Sequence, residues 1–117
     1  MDNFNLRQEA DEALERIWFI QSIEEVDHTD VSTSLRLHIR PGLFVQAFHG
    51  EYSGSLYFAL IEGERRIFGI DRAHGQWHLH PFNSPDLHQP LSEGLDPKPL
   101  LTFLARIEQL LLNSDLL

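Results

Sequence analysis

Between residues 31 and 82 the chain repeats one unit, a short apolar or alternating run closed by a tight turn. Leu35, Leu37 and Ile39 alternate with Ser34, Arg36, His38 and Arg40, so this strand has one dry face and one wet face. Pro41-Gly42 turns the chain, Leu43 to Tyr52 runs back, and Ser53-Gly54 turns it again before Ser55 to Ile61. Glu62-Gly63-Glu64 is a third turn signal, followed by a strand over Arg66 to Asp71 and a short one over Gln76 to Phe82 at the edge. Parallel neighbours need crossovers of a dozen or more residues, and these connections are too short. The strands therefore form an antiparallel meander. Ser55 to Ile61 is apolar on both parities, which asks for cover on both faces. A curled sheet, a second layer or another subunit would supply it, and a homodimer is the expectation.

Helical spacing flanks the meander on both sides. From Leu6 to Trp18 the apolar residues Leu6, Ala10, Ala13, Leu14 and Ile17 share a face, with Asn3 or Asn5 available as a cap. Phe19 to His28 reads weakly as a strand. Near the end, Leu100, Leu101, Phe103, Leu104, Ile107, Leu110 and Leu111 form a broad apolar stripe. Asp96-Pro97 ahead of it predicts the helix start, an acceptor side chain followed by proline. The segment from Asn83 to Asp96 holds Pro85, Pro90 and Gly94 and no apolar period, so an ordered, irregular loop is expected. The fold class is α+β: a meander of four to six strands between an N-terminal and a C-terminal helix, in one domain over residues 1–117.

Charge narrows the partners. The net charge is −9, and residues 1–30 carry nine acids against Arg7 and Arg16. An acidic whole repels phosphate backbones at long range, so sequence-independent coating of DNA is not expected. The middle of the chain balances to zero and holds six of the seven histidines, so a local basic face can exist there. The absence of cysteine excludes disulfides, thiolate metal sites and thiol nucleophiles, and fits a reducing, cytoplasmic setting. No apolar run approaches the ~20 residues that span a bilayer, and no basic-then-apolar leader follows Met1, so no membrane partner is expected. Phosphate-loop, dinucleotide, nucleophile-elbow and HExxH patterns are all missing.

One segment concentrates chemistry: Asp71, Arg72, His74, His78 and His80, with His88 beyond. On a strand, His78 and His80 project to one face while Trp77 and Leu79 project to the other. Paired imidazoles can serve as general acid and base on a phosphodiester, with Arg72 binding the phosphate and Asp71 orienting a ring. Such a site would cleave RNA through its own 2′-hydroxyl without a metal. The same groups, His78 and His80 completed by His74, His88 or Asp71, also have the make-up of a divalent metal site. Solvated histidines on an edge strand are the bland alternative, which would leave a non-catalytic interaction module. Arg36, His38 and Arg40 form a possible phosphate-contacting stripe, and Trp18, Phe19, Tyr52, Tyr57 and Phe58 are aromatics for either base stacking or the core.

The layout resembles the TumE-like toxins of prokaryotic toxin–antitoxin pairs. The resemblance is carried by Ile67 to His88, IFGIDRAHGQWHLHPFNSPDLH, and extends more loosely over most of the chain. Members of that family tend to have an arginine and an aromatic before the aspartate and an asparagine after it. Here those places hold Gly69, Ile70 and Arg72. The resemblance implies growth inhibition through RNA, neutralised by a cognate antitoxin.

Overall fold

A computed structural model describes residues 4–82 and 84–117. Its elements in chain order are α1 (Leu6–Arg16), β1 (Ser22–His28), β2 (Ser32–Arg40), β3 (Leu43–Gly50), β4 (Leu56–Glu62), β5 (Arg65–Ala73), β6 (Gln76–His80), β7 (Gln89–Pro90) and α2 (Pro99–Leu112). The seven strands form one antiparallel sheet in sequential order, so the α+β meander between two helices is what the chain adopts. The seventh strand lies inside the segment expected to be irregular. Gln89 and Pro90 pair with Leu79 and His78, so β6 is not the edge.

Both helices cover the same face of the sheet. That face presents Leu35 and Leu37 from β2, Val45 and Ala47 from β3, Phe58 and Leu60 from β4, and Phe68 and Ile70 from β5, nearly all fully buried. From α2, Phe103 meets Phe58 and Phe68 at ring distances of 5.5 and 5.7 Å. The side chains of β4 that point the other way, Tyr57, Ala59 and Ile61, lie on the face opposite both helices of the described residues. Ala59 is nonetheless enclosed.

The helix ends differ in how they are capped. Asn5 caps α1, its side chain accepting the Gln8 N–H at 3.0 Å; Asn3 lies outside the described residues. The α1 helix ends at Arg16, two residues short of Trp18. The start expected at Asp96-Pro97 shifts to Pro99, and Lys98 at the cap makes no side-chain hydrogen bond. Glu9 of α1 does the capping instead, its Oε1 accepting the Leu100 and Leu101 N–H groups at 2.9 and 3.2 Å. Lys98 donates to both carboxylate oxygens of Glu12 at 3.1 Å. One helix thus closes the amino end of the other.

Candidate functional site

The β5–β6 connection sets the geometry of the site. His74 and Gly75 both have positive φ, 53° and 76°, the backbone of a two-residue hairpin turn whose twist suits the flanking strands. Ala73 pairs with Gln76, and from there the register runs Arg72 with Trp77, Asp71 with His78, Ile70 with Leu79 and Gly69 with His80. Residues directly opposite share a face. Asp71, His78 and His80 therefore rise from the helix-free face, while Arg72 and Trp77 point to the covered one.

Asp71 is the hub. His80 lies with Nε2 2.9 Å from Asp71 Oδ2, and His78 with Nδ1 3.7 Å from Oδ1, beyond hydrogen-bond length. An ionised carboxylate only accepts, so His80 donates from Nε2. His80 is 8% exposed, and its Nδ1 is enclosed with no hydrogen-bond partner. The Asp71–His80 pair is thus held inside the cluster. The β7 strand returns the chain so that exposed His88 stacks on both rings, with centroids 4.1 Å from His78 and 4.9 Å from His80. The Leu91 N–H fastens this return to the Trp77 carbonyl at 2.9 Å.

Four of the six residues singled out from the sequence come together: Asp71, His78, His80 and His88. Two do not. Arg72 donates from Nε and Nη2 to the Gly54 carbonyl at 3.2 and 2.9 Å, lies 5.2 Å from the Trp77 ring centroid and faces Asp96 at 3.6 Å. It ties a turn and a loop to the covered face, because strand alternation sends it opposite Asp71. His74 is exposed at the hairpin tip, its positive φ serving the turn. None of the expected metal sets, each built on His78 with His80, is spaced for an ion among the described residues; instead Asp71, His78 and His88, without His80, each offer an atom within 4.8 Å of the others. Two ligands of a tetrahedral zinc lie about 3.3 Å apart when each bond is about 2.0–2.1 Å. The His78 and His88 rings lie nearly parallel, 24° apart, which sets their nitrogens side by side rather than aimed at one point.

Arg66 was not among the candidates. It shares the helix-free face through its pairing with Ile61, and its Cδ lies 3.4 Å from where a Cβ on Gly69 would sit. Gly69 pairs with His80, so the Arg66 stem crosses the face next to the imidazoles. Its Nη2 donates to the Pro85 carbonyl at 3.1 Å, and with Ser84, Pro85, Asp86 and Leu87 it lines a cleft of about 730 Å³. A glycine inside an apolar strand marks such a close approach, and Gly69 was the available signal. The Arg36, His38 and Arg40 stripe divides. Arg36 and His38 stay on the helix-free face, whereas a register shift before Arg40 takes it to the Leu116 carbonyl and Glu62. Phe19 and Phe58 are core, Tyr57 is half-buried on the helix-free face, Trp18 donates to Glu108 at 2.7 Å, and Tyr52 is exposed in a turn.

No helix of the described residues is long and apolar enough to cross a membrane. No family model, curated protein or solved structure matches the chain.

Proposed function

We propose that the protein cleaves single-stranded RNA by metal-independent acid–base catalysis, as the toxin of a toxin–antitoxin pair. The supporting observation is the gathering of one carboxylate and three imidazoles on a sheet face that no helix covers. His88 is exposed, His78 is half-buried with its Nδ1 enclosed, and the third ring is tied to Asp71. His78 takes the proton of the RNA 2′-hydroxyl, whose oxygen attacks the adjacent phosphorus. His88 gives a proton to the departing 5′-oxygen, leaving a 2′,3′-cyclic phosphate and a free 5′-hydroxyl. Asp71 and His80 fix the position of the pair. Arg66, rather than Arg72, holds the phosphate from the neighbouring strand.

A divalent ion held by Asp71, His78 and His88, each of which offers a ligand atom within 4.8 Å of the others, is the second reading. One assay separates the two: a purified single-stranded RNA oligonucleotide incubated with the protein in excess chelator. The acid–base reading expects cleavage to persist, with a bell-shaped pH profile and a cyclic phosphate end. His78→Ala and His88→Ala each lower the rate by about 10²-fold or more at unchanged melting temperature. An oligonucleotide lacking the 2′-hydroxyl is left intact. Loss of cleavage in chelator with recovery on added zinc transfers the assignment to the metal. Intact RNA under every condition, with normal growth of a bacterial host expressing the protein, overturns both.

A further inference from the structure

The sheet register lays out more than the histidine cluster on the helix-free face. One row across the strands reads Ser34, Phe48, Tyr57, Asp71 and His78. Tyr57 thus stands directly beside Asp71, with Phe48 one strand further, about 10 Å from the carboxylate strand at the usual spacing of ~4.8 Å. A parallel row holds Arg36, whose guanidinium carbon lies 4.9 Å from the centroid of Phe44. Both Phe48 and Tyr57 are half-buried on a face that offers them no helix.

The face mixes both signs of charge. It carries Arg36, Arg66 and the imidazoles of the cluster together with the acids Asp71, Glu24 and Asp27, the last two at its β1 edge. The Arg36 side chain makes no hydrogen bond or ion pair among the described residues, although Glu24 is its register partner on β1. Glu24 lies against His38 instead, at 2.9 Å. A half-buried guanidinium without a carboxylate, next to open aromatic rings, fits an anion that also carries flat apolar groups.

We infer that Tyr57 and Phe48, with Arg36 beyond them, form a base-stacking track that leads single-stranded RNA to the Asp71–histidine cluster. This rests on the RNA reading proposed above. Each base stacks through its face on a ring, so the track accepts many sequences, and Arg36 neutralises a phosphate upstream of the scissile one. A duplex hides its base faces and is a poor ligand for such a surface. Beyond Arg36 the β1 strand carries Glu24, Glu25 and Asp27, which ends the track on that side.

The test uses the full chain with His88→Ala in the background, so that RNA is bound and not consumed, and reads fluorescence anisotropy of labelled oligouridine. Tyr57→Leu and Phe48→Leu are each expected to weaken binding about tenfold, with Tyr57→Phe restoring it relative to Leu. Tyr52→Leu, at an exposed turn position, leaves affinity unchanged. A hairpin duplex of equal length binds at least tenfold more weakly than the single strand. Melting temperature and sedimentation are recorded for every variant. Equal affinity in Tyr57→Leu and Phe48→Leu overturns the track, even if the wild-type protein cleaves RNA. Tight single-strand binding lost in those variants, with no cleavage by the wild type, keeps the track and overturns the chemistry. A change of sedimenting species in Tyr57→Leu without a change in RNA affinity assigns the face to a second copy and overturns the proposal.

Discussion

Two arginines of β5, Arg66 and Arg72, illustrate how much one step along a strand decides. Arg72 follows Asp71 in sequence, yet alternation turns it to the covered face, where it holds the Gly54 carbonyl and lies over Trp77. Hydrogen bonds to a charged group are worth roughly 1.5–3 kcal/mol, so Arg72→Ala is expected to cost stability of that order in urea unfolding. The folded fraction should cleave RNA at the wild-type rate. Arg66→Gln should do the opposite, keeping most of the stability and losing about 10²-fold in rate, because the phosphate-holding charge is gone. A well-folded Arg72→Ala protein that has lost cleavage would return Arg72 to the site.

At the scale of elements, the join between α1 and α2 is the most informative. Glu9 is buried, and burial pushes its carboxyl above the ordinary value of 4.5, against the pull of the Leu101 and Leu100 N–H groups and of Lys98. The folded chain therefore holds this proton more tightly than the unfolded chain. Its stabilising contribution is full below pH 4.5 and declines as pH rises through the raised folded value. Glu9→Gln keeps an acceptor for the two N–H groups and removes the titration. Between about pH 4 and pH 7 wild type should lose stability relative to Glu9→Gln, read from denaturant midpoints at each pH. A wild type that gains on Glu9→Gln over that interval would contradict the burial of the charge. Glu9→Ala should cost about 1–2 kcal/mol at acid pH, since it leaves the amino end of α2 uncapped, and less as pH rises.

For the whole molecule the governing fact is an acidic body whose helix-free face sets two arginines, Arg36 and Arg66, among carboxylates. Few phosphates can be neutralised there, so RNA affinity should depend only weakly on salt. Two contacts, at Arg36 and Arg66, give a slope of about −1.4 in log affinity against log salt for a single strand. Arg36→Gln should make the slope shallower by about 0.7. Anisotropy titrations over a range of potassium chloride measure both. A slope several times steeper would mean that RNA follows a wider surface than the track.

The residue pattern by itself determined the antiparallel meander, because tight turns between short apolar runs leave no length for crossovers. It also determined the two flanking helices and the concentration of histidines around Asp71, both of which are local properties of spacing. The tertiary structure alone decided which of those residues meet. His88 joins the cluster because β7 pairs back onto β6, a contact between residues ten apart whose signal Pro85, Pro90 and the polar stretch around them conceal. Glu9 displaces Asp96 as the cap of α2 through a contact spanning 91 residues, which no local propensity encodes. Arg66 lies beside the cluster and Arg72 does not, because a glycine on β5 lets one side chain cross the open face while strand alternation sends the other beneath the sheet. Spacing along a chain fixes periodicity and therefore faces; only packing fixes which faces, and which ends, come together.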